Sequence, residues 1–129
     1  MNKNLRQVEA LVDLLEEFAQ IQKNIEALPV GYISVKQISG HTYCYRQWRE
    51  GDKIISEYVP EAKLNGVKRK IAVRKENEAH LKEVKKDLVK VTKQVVKAGL
   101  LSEEEVEELK AAALADEDVY SLAQDKVNK

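Results

Sequence analysis

Hydrophobic positions change period twice along this chain. Leu5, Val8, Leu11, Val12, Leu15, Phe18, Ile21, Ile25 and Leu28 recur at three- and four-residue steps, with Asp13, Glu16, Glu17 and Lys23 between them. That spacing predicts an amphipathic helix over 1–28. Pro29 ends it, because proline donates no backbone N–H and disfavours helical backbone at the residue before it. Between Pro29 and Pro60 the period drops to two, Tyr, Ile, Val and Thr become frequent, and Ser39-Gly40 and Gly51-Asp52 supply turns. A three-stranded antiparallel meander over 30–60 follows. The 3.6-residue period then returns. Leu81, Val84, Leu88, Val91 and Val95 form a heptad seam within a long helix over 64–98, weakening upstream to Val67, Ile71 and Arg74, with Gly99 placed to cap it. Such a helix is about 50 Å long, and its seam requires a partner. Ser102-Glu103-Glu104-Glu105 is a capping box that starts a last helical stretch over 102–127. Val106, Leu109, Ala113 and Leu114 lie on its apolar side, and Asp116-Glu117-Asp118 is a point of interruption. The fold class is therefore α+β, as a single domain over 1–129.

Two-residue hairpin loops fix strand register, so cross-strand partners can be computed. The first loop sets Ile38 opposite His41, Lys36 opposite Tyr43, Val35 opposite Cys44 and Ile33 opposite Arg46. The second sets Glu50 opposite Lys53, Trp48 opposite Ile55, Arg46 opposite Glu57, Tyr45 opposite Tyr58 and Cys44 opposite Val59. Both opposite-charge pairs fall directly across from each other, which a wrong register has no reason to produce. One face gathers Ile33, Val35, Cys44, Trp48, Ile55 and Val59, and is expected to be a hidden core surface. The other carries Tyr32, Lys36, His41, Tyr43, Tyr45, Gln47, Arg49 and Tyr58, so four of the five tyrosines share one side.

Charge refines this picture. The 129 residues carry 22 basic and 22 acidic side chains, yet 61–97 holds 12 basic against 5 acidic and 98–129 holds 3 against 9. With 5% aromatic residues, the composition favours long solvated helices around a thin core over an enzyme with a large cleft. One cysteine allows no internal disulfide, no apolar run reaches the length of a membrane span, and 1–28 lacks a signal-peptide core. A cytoplasmic protein with no membrane association is expected.

Candidate chemistry is sparse. His41 and Cys44 are the one pair that suggests nucleophilic catalysis, but a spacing of three on a strand sends them to opposite faces. His80 stands alone among Glu76, Glu78 and Glu83, and no His-x-x-x-His, Cys-x-x-Cys or phosphate-loop spacing occurs. No catalytic residue, metal or cofactor is expected. The cluster Lys68-Arg69-Lys70 with Arg74 and Lys75 has the charge density to contact a nucleic-acid backbone, with Arg46 and Trp48 as companions from the meander.

The stretch from Gly31 to Tyr58, through Gly40, Gly51, Lys53 and the Tyr43-x-Tyr45 pair, resembles a group of small, uncharacterised bacterial and phage proteins over roughly residues 28 to 90. The resemblance implies a helix, a three-stranded meander and a longer charged helix, with no known activity. In outline the meander and helix are also similar to the three-stranded DNA-binding domains of phage integrases, by which analogy Lys36, Gln47 and Arg49 would be base readers. Tyrosines stand here where those domains favour basic residues.

Three functional expectations result. The first is a non-enzymatic interaction protein (a homo-oligomer) that self-associates through its helical seams and presents the polar–aromatic sheet face to a partner. The second is a nucleic-acid binder using the long basic helix and the meander. The third is a phage-type inhibitor whose acidic stretch from Glu103 to Glu108 mimics nucleic acid for a host protein.

Overall fold

The computed structural model describes residues 3–128, with side chains from residue 5 onward. The first two residues of the expected 1–28 helix, and the last residue of the chain, lie outside the described residues. The elements run α1 (Lys3–Glu26), β1 (Tyr32–Ile38), β2 (His41–Glu50), β3 (Lys53–Val59), α2 (Glu61–Lys97), α3 (Glu103–Leu114) and α4 (Val119–Val127). This is the expected α+β order, with the last helical stretch split in two. The chain groups into two compact units, Met1–Lys23 with Ala79–Lys129, and Asn24–Glu78.

The first unit is helical. Val8, Leu11, Val12, Leu15 and Phe18 of α1 are buried, as are Leu81, Val84, Leu88 and Val95 of α2, Val106 and Leu109 of α3, and Val119 and Ala123 of α4. The sequence left the seam from Leu81 to Val95 short of a partner; the fold buries those four seam positions within a single chain, so they offer no free surface. A second correction concerns α3. Leu114 is 42% exposed, and Ala112 takes the inward place. Leu114 stands five residues beyond Leu109, about 140° round the helix, whereas Ala112 stands three beyond it.

The helix ends follow local chemistry. At the end of α2, Gly99 adopts φ 74°, its N–H donates to Val96 O, and that of Leu100 donates to Val95 O, which is a Schellman motif. Ser102 Oγ accepts from Glu105 N–H at 3.1 Å while Ser102 N–H donates to Glu105 Oε1 at 3.0 Å, closing the expected capping box. α3 stops by a second Schellman pattern, with Asp116 N–H donating to Ala113 O and Glu117 N–H to Ala112 O. Here Asp116, at φ 60°, takes the left-handed place usually given to glycine. Asp118 then caps α4, its carboxylate accepting from the Ser121 N–H and hydroxyl. These bonds to Ser121 hold the Asp118 carboxyl below its ordinary pKa. In the same unit Asp116 pairs with Lys23, Lys126 pairs with Glu108, and Tyr120 Oη donates to Glu9 at 3.2 Å, which raises the tyrosine pKa.

The second unit holds the sheet, in the order β1-β2-β3. Every cross-strand pair computed from the loops is observed: Ile38–His41, Lys36–Tyr43, Val35–Cys44 and Ile33–Arg46 between β1 and β2, and Glu50–Lys53, Trp48–Ile55, Arg46–Glu57, Tyr45–Tyr58 and Cys44–Val59 between β2 and β3. Ser39 (φ 52°) and Gly40 (φ 82°) both adopt left-handed backbone, the geometry of a type I′ turn. Gly31 is required for another reason. At φ 112° a side chain is strained, and a Cβ there would fall on the Gln47 carbonyl oxygen.

The aliphatic face departs from expectation. Across the row Val59–Cys44–Val35, exposure climbs from 4% at Val59 to 60% at Val35, with Cys44 half-buried. β3 runs through Pro60 directly into α2, so the buried end of the row is the one joined to the helix, and the exposed end is the free edge of the sheet. Val35, expected in the core, is a surface residue.

Candidate functional site

The tyrosine face is assembled by register alone, because residues directly opposite on paired strands share a side. Tyr45 and Tyr58 are direct cross-strand partners, and their rings meet edge-to-face with centroids 5.8 Å apart. Tyr43 lies diagonal to Tyr58 at 6.3 Å, and His41 continues the train at 6.5 Å from Tyr43. Lys36 places Nζ 5.0 Å from the Tyr45 ring centre, within cation–π range. Contacts of this kind contribute about 0.5–1.5 kcal/mol each beyond area burial, and they hold the rings in place while the outermost remain accessible. Tyr32 and Tyr58 are exposed, Tyr43 and Tyr45 half-buried. Gln47 donates through Nε2 to Ser56 Oγ at 2.7 Å, and Arg49 stands exposed beside it.

Two large apolar residues join this face beyond those expected. Ile38, opposite His41, and Ile54, opposite Arg49, lie on the tyrosine side and are 49% and 59% exposed. The register already computed was sufficient to place them there. With Val30, Tyr32, Val35 and Tyr58 they make the 30–58 segment the richest in exposed large hydrophobic side chains among the described residues.

A recess of about 340 Å³ opens at the end of this face, bordered by His41, Thr42, Tyr43, Cys44, Tyr58, Val59, Glu61 and Leu64. Its origin is topological. The β2–β3 ladder begins at Cys44–Val59, so residues 41–43 pair only with β1, and Pro60 turns the chain away into α2. Two tyrosines, a histidine and Glu61 thus border one recess. His41 and Cys44 both border the recess, from opposite faces of β2, and among the described residues no hydrogen bond joins them. No cluster of three or more His, Cys, Asp or Glu among the described residues is placed to hold a metal ion, and His80 Nε2 meets Glu17 Oε1 at 2.9 Å. No helix among the described residues is long and apolar enough to cross a membrane.

Of the residues expected to contact nucleic acid, Arg46, Trp48 and Arg74 are held by partners within the chain. Arg46 lies on the aliphatic face, stacked 3.8 Å from the Trp48 ring, donating to Val30 O at 2.7 Å and facing Glu57. Trp48 Nε1–H donates to Glu50 Oε1 at 2.9 Å. Arg74 Nη1 donates to Ile25 O and Leu28 O, both at 2.7 Å, and its Nε donates to Glu78 at 2.8 Å. Its guanidinium thus closes the carbonyl end of α1, a structural role that the seam pattern hinted at by placing Arg74 in line with Val67 and Ile71. Lys68, Arg69, Lys70 and Lys75 are exposed, but three consecutive helical residues point about 100° apart, so 68–70 spread their charge around α2.

The fold and this face define a small helical chain whose three-stranded meander displays an ordered aromatic side. By sequence the chain belongs to the family described as Domain of unknown function (DUF6788), whose model matches residues 3–69 and so takes in α1, the whole meander and the first turns of α2. No curated protein and no solved structure matches it.

Proposed function

We propose that this chain is a non-enzymatic interaction protein that self-associates and presents the tyrosine face of its meander to a protein partner. The reading extends to its setting, a cytoplasmic protein of bacterial or phage origin. The observation that carries it is the pre-ordered train His41–Tyr43–Tyr58–Tyr45, capped by Lys36 and flanked by exposed Tyr32, Ile38 and Ile54. Rings already held in place lose little rotamer entropy when a partner docks, and tyrosine is among the residues that dominate binding at protein interfaces. A protein is favoured over nucleic acid because the tyrosine face sets only Lys36, stacked on Tyr45, and Arg49 as full cations beside four tyrosines, and because Arg46, Trp48 and Arg74, away from that face, already have intramolecular partners.

The test is affinity capture from lysate with and without nuclease, comparing the natural chain with Tyr45→Ala/Tyr58→Ala. A specific protein should be retained through nuclease treatment and bind the double variant at least about tenfold more weakly. Equal capture by the variant would remove the tyrosine face from the function. Loss of all capture on nuclease treatment would instead favour the nucleic-acid reading.

A further inference from the structure

We propose that the outer edge of β1 is the self-association surface: two copies join β1 to β1 antiparallel, with Val35 of one copy opposite Val35 of the second. The inference deepens the self-association part of the proposed function and rests on it.

β1 is a sheet edge, and such an edge offers unpaired N–H and C=O groups to another strand unless something blunts it. The other edge, β3, is blunted by Lys53 and Glu57 in its KIISEYV sequence. β1, with the sequence YISVKQI, carries one charge, Lys36, and exposes Tyr32, Val35 and Ile38. Among the described residues, no backbone hydrogen bond outside the sheet ladder engages Tyr32–Ile38.

The turn decides which backbone groups are free. In the Ser39-Gly40 turn the Ile38 carbonyl faces the His41 N–H, so Ile38 and every second residue before it direct their backbone toward β2. Ile33, Val35 and Gln37 therefore turn theirs outward. Centring the dimer on Val35 pairs these groups with one another, Val35 with Val35 and Ile33 with Gln37, as hydrogen-bonded pairs.

The side chains select the same register. Tyr32 comes opposite Ile38 of the second copy, an aromatic with β-branched pair of the kind that stabilises sheets, and Ser34 comes opposite Lys36. All pairs keep their faces, so the two tyrosine sides join into one. Moving the register two residues toward the turn sets Lys36 against itself, which is repulsive. Moving it the other way leaves Ile38 unpaired.

The experiment uses the full chain in a Cys44→Ser background, because Cys44 is the intramolecular partner of position 35 and would compete for a new thiol. Under mild oxidation Val35→Cys should give a disulfide-linked dimer, since residues in such a pair have Cα atoms about 5.5 Å apart. Lys36→Cys and Gln37→Cys, which do not meet themselves, should remain largely uncrosslinked. In parallel, light scattering should find the natural chain dimeric at high micromolar concentration. Val35→Pro, which removes an outward N–H and spares the ladder to β2, should raise the dimer dissociation constant at least tenfold. Val35→Lys serves the same purpose if the proline variant loses the circular dichroism of the fold. A monomeric natural chain would overturn self-association and this surface together. A dimer that crosslinks no better at 35 than at 36, and survives both substitutions, would overturn the β1 surface alone.

Discussion

Arg74 illustrates how one side chain acquires a role from its neighbours. Its sequence context, between Lys68-Arg69-Lys70 and Lys75, marks it as part of a basic cluster, yet its guanidinium bonds two carbonyls at the end of α1 and a carboxylate one turn along α2. Hydrogen bonds to a charged group contribute about 1.5–3 kcal/mol, so Arg74→Ala is expected to lower the unfolding free energy by roughly that amount in urea denaturation. Arg74→Lys should not restore it, because a compact ammonium lacks the planar fork that reaches both carbonyls and Glu78. If Arg74 were a nucleic-acid contact, the alanine variant would keep its stability. The partners that distinguish the two roles, the carbonyls of Ile25 and Leu28, lie 49 and 46 residues away along the chain, which is why the basic cluster was the more visible signal.

Among the elements, the helix boundaries and the meander follow from local chemistry. The capping box at Ser102, the Schellman motif at Gly99 and the interruption around Asp116 are each written in a few adjacent residues. The split of the last helical stretch depends on Asp118 as the N-cap of α4, and its carboxyl titrates below the ordinary value in the fold because it accepts from Ser121. A depressed folded-state pKa means stability that is present above the unfolded value near pH 4 and lost as pH falls through the folded one. Asp118→Asn keeps a capping oxygen and removes the charge. Thermal melts followed by circular dichroism should therefore show the natural chain more stable than Asp118→Asn at pH 6, with the gap closing below about pH 4; a gap independent of pH would contradict the ionised cap. The tyrosine face was legible at this scale too, since register needs only loop length. Ile38 and Ile54 belong to it by the same rule.

For the whole molecule, the decisive property is which hydrophobic rows are covered. Leu109 is fully buried among the helices of its unit, as are Leu11, Leu15 and Val95. Deleting a leucine side chain from such a site costs about 2–5 kcal/mol, through lost transfer energy and the cavity left behind. Leu109→Ala should accordingly lower the urea midpoint with an unchanged slope, whereas Leu114→Ala, on the exposed side of the same helix, should leave it nearly unmoved. Equal effects at 109 and 114 would contradict the burial pattern of α3.

Sequence by itself determined the order of elements, the caps and the strand register, because each depends on interactions a few residues apart or on a loop of fixed length. It also determined which tyrosines share a side, since alternation along a strand admits one answer. Tertiary structure decided exposure. The seam of α2 found its cover within its own chain, Leu114 was displaced by Ala112, and Val35 was left uncovered where its row runs out from α2 to the β1 edge. Burial depends on what arrives from elsewhere in the chain, and a pattern of apolar positions records the need for a partner without naming it.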